Sequence, residues 1–180
     1  MTTINARCHI EAEEFVAINK FIVLRRNPRY VRRQLILSAI VLLCGVFAVR
    51  DHATYAYALV AAAFMVPVFS YFQCTRAVEK LPERLPGAIG DVEWTISDEG
   101  IESVVTYPGG VNRSSSNWSL FERSEDAGPF YLLRGSSSQR LSRFVLKRAF
   151  ASESDEQDFV ELLNRHTQFR VSARHAPVTK

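Results

Sequence analysis

The chain has 180 residues and a formal charge of +3 at pH 7, from 22 Lys and Arg against 19 Asp and Glu. So small an excess gives no ground for a charge-driven nucleic-acid binder. Its three cysteines, Cys8, Cys44 and Cys74, form neither a Cys-x-x-Cys nor a Cys/His cluster, which excludes a disulfide framework or a zinc site read from spacing.

Thr3 to Ile10 alternates, with Ile4, Ala6, Cys8 and Ile10 on one side and Thr3, Asn5, Arg7 and His9 on the other. This period predicts a half-buried strand. From Glu11 the spacing becomes helical, with Phe15, Ile18 and Ile22 on one face and Glu13 and Glu14 in the first turn, where the helix dipole favours acids. The basic residues Lys20, Arg25, Arg26, Arg29, Arg32 and Arg33 follow.

Two charge-free apolar runs come next, Gln34 to Val49 and Tyr55 to Phe72, separated by Arg50 to Thr54. A hydrocarbon core needs roughly 20 apolar residues in a helix. Both runs are apolar on every side, whereas a buried helix of a globular domain keeps a polar stripe. They predict a two-helix transmembrane hairpin. Basic residues before the first run and Arg76, Lys80 and Arg84 after the second place both termini in the cytoplasm. Pro67 predicts a kink, and Gly45, Ala48, Ala58, Ala61 and Ala62 allow close helix packing. No ionisable side chain lies in either run, which argues against an ion or proton pathway.

Leu81 to Gly87, with two prolines, reads as a linker. Short strands are expected at Val92 to Ile96, Ile101 to Tyr107, Trp118 to Arg123, Phe130 to Arg134 and Leu141 to Lys147. Asn112 to Ser116 is expected as a polar loop, and Gly100 as a turn residue with positive φ. A final helix carries Phe159, Leu162, Leu163 and His166 on one face. Its start is either Ser154, in a capping box with Gln157, or Ser152 with Asp155. The tail beyond Phe169 is expected to be disordered. The N-terminal strand is expected to join the downstream sheet.

Several signatures in this order resemble the YcxB-like family of small bacterial membrane proteins. They are Phe21-x-x-x-Arg25-Arg26, the two close apolar runs, the turn Ile96 to Ile101, Trp118 with Glu122, Phe130 to Leu133, and Phe144 to Phe150 before the last helix. Leu146 stands where that family usually has a proline. The resemblance implies a pleckstrin-homology-like cytoplasmic domain and no known reaction.

No phosphate-binding glycine loop is present; Pro108 to Gly110 reads as a hairpin turn. His9, His52 and His166 are scattered, and the acidic pairs Asp98-Glu99 and Glu125-Asp126 read as solvated turn residues. Trp94 and Trp118 are expected in the core. Arg140, Arg143, Lys147 and Arg148 form a modest basic edge. No catalytic, cofactor-binding or metal-binding residue is assigned, no cofactor is expected, and the protein is not expected to be an enzyme.

The expected fold class is therefore an α+β membrane protein. A strand and basic helix (1–33) precede the hairpin (34–72) and a linker (73–90). A small antiparallel-sheet domain with a C-terminal helix (91–170), PH-like by the resemblance, and a flexible tail (171–180) follow. The expected function is a membrane-anchored cytoplasmic interaction module that binds a protein partner at the bacterial inner membrane. The alternative is an oligomeric structural or transport-accessory subunit associating through its hairpin. Expected partners are the lipid bilayer and a protein partner or a second copy, with no nucleic acid.

Overall fold

The computed structural model describes residues 3–26, 71–135 and 141–171, together with residues 36, 38–41, 43, 61, 65 and 69. The chain divides into two compact units, one of residues 1–17 and 82–180 and the other of residues 18–81.

The first unit is α+β. Strand β1 (Ile4–Ile10) buries Ile4, Ala6 and Ile10 and turns Asn5, Arg7 and His9 outward, as a period of two requires. It pairs antiparallel with β2 (Gly90–Ser97), which pairs with β3 (Gly100–Tyr107), which pairs with β4 (Gly110–Asn117). The register sets Ile4 opposite Ile96 and Ala6 opposite Trp94. Ile96 in turn faces Ile101, so the row Ile4, Ile96 and Ile101 is apolar from β1 to β3. At Gly100, where β3 begins, a Cβ would stand 2.3 Å from the Ser116 carbonyl oxygen, so the close approach of β3 to β4 requires glycine.

A 3-10 turn, Trp118–Leu120, leads into the second sheet. Its strands β5 (Phe121–Asp126), β6 (Phe130–Gly135), β7 (Ser142–Leu146) and β8 (Gln168–Val171) lie in the order β7-β6-β5-β8. Three of these pair antiparallel, whereas β8 runs parallel to β5. β6 is buried on both faces: Phe130, Tyr131, Leu132 and Leu133 are all inaccessible. Each such side chain contributes about 1.5–3 kcal/mol on leaving water, which makes β6 the centre of this core. Between β5 and β6 the chain reverses at Gly128, whose φ is +96°; its N–H donates to Asp126 Oδ1 at 2.8 Å.

Helix α1 (Ala12–Arg26) follows β1, and Leu81–Arg84 forms a single helical turn, α2. The last helix, α3 (Glu153–His166), buries Phe159, Leu162 and Leu163. Ser152 is its N-cap, with Oγ accepting from the Asp155 N–H at 3.1 Å, so Ser152 and not Ser154 starts the helix. The Tyr131 ring meets the rings of Phe150, Phe159 and Phe169, which joins β6, α3 and β8 in one aromatic cluster. An isolated bridge from Ala6 to Phe150 ties β1 to the segment after β7.

Four expectations are corrected. The predicted polar loop at Asn112–Ser116 is strand β4, because the free edge of β3 supplies its backbone partners whatever its side chains. Trp118–Leu120 is a 3-10 turn and not the start of a strand. The predicted tail begins with β8, paired to β5; residues 172–180 lie outside the described residues. The largest correction concerns the membrane. The two expected spans, 34–49 and 55–72, fall mostly outside the described residues, and among the described residues no helix is long and apolar enough to cross a membrane. The fold described is α+β with two four-stranded sheets, and not a two-helix transmembrane hairpin with a domain attached. The multi-pass inner-membrane location with both termini cytoplasmic rested on those spans and is corrected with them.

In the second unit, residues 36, 38–41, 43, 61, 65, 69 and 71–79 are helical where described. Ile18, Ile22 and Val78 are buried there, and Lys20 Nζ donates to Glu79 Oε1 at 2.7 Å.

Candidate functional site

Three places combine chemistry with access. The first is a hollow of about 480 Å³ in the first unit. It is lined by Asp98 and Glu99 from the β2–β3 turn, by Asn117, Trp118, Ser119 and Phe121 where the first sheet passes to the second, and by His166 at the end of α3. The Trp118 indole N–H donates to the Ser97 carbonyl at 2.8 Å, which fixes the ring. His166 stacks on it with centroids 5.2 Å apart. Asp98 Oδ1 accepts from Arg165 Nη1 at 2.8 Å, while His166 Nε2 stands 3.9 Å away, beyond hydrogen-bond range. The hollow thus holds a carboxylate already engaged by arginine and an imidazole covered by indole. Ser119 also lines the hollow, but among the described residues its hydroxyl bonds to neither group, so no nucleophile–base pair is assembled there.

The second place is a polar cluster at the turn between β5 and β6. Lys147 Nζ lies 2.8 Å from Asp126 Oδ2, 3.7 Å from Glu156 Oε1 and 4.8 Å from the centre of the Tyr131 ring. The Tyr131 hydroxyl donates to Glu156 at 2.6 Å. Burial, and then this hydrogen bond to a carboxylate, push the Tyr131 phenol far above its ordinary range. Charges here are paired, and the cluster staples β6 to α3.

The third place lies in the second unit. Ile36, Ile40 and Leu43 follow one another at i, i+4 and i+7 on helical residues, and Met65, Phe69 and Phe72 repeat that spacing. With Tyr71 they are between 49 % and 63 % exposed. At helical spacing each set of three shares one face. Scattered exposed apolar residues need no explanation, but contiguous ones mark interaction surfaces.

The residues singled out in the sequence fall as follows. Trp94 and Trp118 are both buried. His9 Nδ1 lies 2.9 Å from Asp91 Oδ1 on the exposed face of β1. Arg148 donates to Glu14 Oε2 at 2.5 Å and to the His9 carbonyl, so it is a tie between segments and not part of a free basic edge. Asp126 is paired with Lys147, and so is not a merely solvated turn residue. Burial pushes the Cys8 thiol up to about 11, with the nearby Arg148 guanidinium acting the other way. His52 and Arg140 lie outside the described residues. Among the described residues no group of His, Cys, Asp and Glu could hold a metal ion. The exposed apolar stripes were visible in the sequence as apolar runs, but their period was hidden because every turn of those runs is apolar.

No family model, curated protein or solved structure matches the chain. The YcxB-like resemblance and its pleckstrin-homology-like implication therefore rest on the quoted motifs alone.

Proposed function

We propose that this protein is a non-enzymatic interaction module that takes a protein partner on the apolar helical stripes of its second unit. The observation that supports this reading is the exposure of Ile36, Ile40 and Leu43, and of Met65, Phe69 and Phe72, at one-face helical spacing. Burying a side chain of this size against a partner contributes about 1.5–3 kcal/mol. Several together exceed the cost of association only when they act as one patch. The engaged state of the charged clusters in the first unit fits a scaffold better than a reaction centre.

A second reading keeps the same surface and makes the partner another copy of the chain. The repetition of one spacing in two stripes favours it, because equivalent ridges can pack on each other. Light scattering on the purified full chain, with and without Phe69→Asp, separates the two. A monomer that binds one distinct protein in a Phe69-dependent way supports the first reading. A discrete multimer dissolved by Phe69→Asp supports the second. Insensitivity of every association to Phe69→Asp and Ile40→Asp contradicts both.

A further inference from the structure

The inner face of the first sheet is apolar along β1 and β2 but becomes polar at its β3–β4 margin. Ser103 and Ser114 stand opposite each other there, and Ser116 follows on the same face of β4. Ser103 and Ser116 are buried. Strand alternation turns the neighbouring Glu102 to the exposed face, so it brings no carboxylate to this margin. Arg143 of β7 reaches the same place, where its Nη2 donates to Ser114 Oγ. The Arg143 Nε is buried without a hydrogen-bond partner, and no ion pair engages this guanidinium among the described residues. Burial also lowers its proton affinity. β4 and β7 are the outer strands of their respective sheets, and neither pairs with the other.

A half-buried guanidinium offers five donors, and here a serine hydroxyl takes up one of its nitrogens. A buried cation without a counter-charge is unfavourable unless something else supplies the charge. The Ser103 hydroxyl is already engaged, donating to the Ser114 carbonyl at 3.4 Å, whereas the Ser114 hydroxyl, which accepts from Arg143, keeps its own proton to donate, and the Ser116 hydroxyl and the rest of the guanidinium fork can donate as well. A planar fork beside hydroxyl donors fits an oxyanion, which accepts from several donors at once and returns the missing negative charge.

We propose that Arg143, together with Ser114 and Ser116, forms a binding site for the oxyanion group, phosphate or carboxylate, of a small molecule. The site lies at the margin between β4 and β7, and its occupation holds these two strands together where no backbone pairing does. It is independent of the apolar stripes of the second unit.

The test is thermal unfolding of the full chain in titrations of sodium phosphate or sodium acetate, with ionic strength held constant by chloride. The expected result is a saturable rise in Tm with at least one of the two anions. A rise with phosphate alone assigns a phosphate ligand, and a rise with acetate alone a carboxylate. Arg143→Gln should abolish the rise, and Ser114→Ala should weaken half-saturation about tenfold, the loss of about 1.4 kcal/mol of binding. If Arg143→Gln does not fold, the Ser114→Ala and Ser116→Ala double variant takes its place. Absence of a rise with both anions, or an equal rise in wild type and variants, overturns the site.

Discussion

Trp118 and His166 lie face to face, their ring planes 7° from parallel, although 47 residues of chain separate them in sequence. This stack joins the 3-10 turn that ends the first sheet to the last turn of α3. The indole is held by its N–H bond to the Ser97 carbonyl, and the imidazole covers it. Trp118→Phe keeps the ring but leaves that carbonyl without its donor. The expected loss is about 1–3 kcal/mol in urea unfolding. A change under about 0.5 kcal/mol would show that the stack and its bond are not part of the stabilising core.

The start of α3 discriminates between two serines. Ser152 has extended backbone, φ −143° and ψ 159°, and accepts from the Asp155 N–H; its hydroxyl also donates to Asp155 Oδ2 at 2.9 Å. Ser152→Ala should lower stability by about 1 kcal/mol. Ser154→Ala, inside the first turn, should change it by less than about 0.5 kcal/mol. Equal effects in chemical denaturation would contradict this cap.

Cys8 and Cys74 should differ in reactivity. Cys74 is exposed, whereas burial raises the Cys8 thiol to about 11 and so leaves little thiolate near neutrality. Alkylation at pH 8 followed by peptide mass mapping should modify Cys74 well before Cys8. The same shift has a stability consequence. Its folded value lies above the ordinary 9.0, so the unfolded chain ionises first as the pH rises. The Cys8 contribution is complete below about pH 9 and is lost between there and about pH 11. Cys8→Ala should flatten the fall of stability in that window, and an unchanged slope would refute the assignment.

The β8 strand makes its own prediction. The Ser124 and Thr167 hydroxyls bond to each other beside it, and the Phe169 ring packs on Tyr131. Phe169→Ala should cost about 2 kcal/mol, below the 3–5 kcal/mol of a fully buried phenylalanine because Phe169 is only half-buried. Hydrogen exchange along β5 should quicken in a chain ending at Thr167. Unaltered protection of β5 would mean that β8 contributes nothing to that edge.

Much of the first unit was legible because apolar alternation and helical spacing carry it. Ile4, Ala6 and Ile10 on β1, and Phe159, Leu162 and Leu163 on α3, turn inward as their periods require. Strand β4 was not legible, since Gly110 to Asn117 has no apolar face and becomes a strand only through its pairing with β3. β8 is four residues long and parallel to a strand far away in sequence, a pairing that local patterning cannot encode. The two apolar runs read as lipid-facing because nothing in them marks one side from another; a pattern with no polar stripe does not distinguish its solvent from its partner. The role of Arg143 was hidden for the opposite reason. In sequence it is one basic residue among several, and only the strand register brings it to the serines of β4.

The proposed docking surface is tested most directly by a photoreactive amino acid placed at Phe69, with a control at Glu102 on the exposed face of β3. Illumination of the full chain in its native cells should join Phe69 to one distinct protein, and Glu102 to none. The product should disappear when Met65 and Phe72 are both changed to Asp. Equal products from both positions, or products from Phe69 that contain only lipid, would contradict a protein-binding stripe.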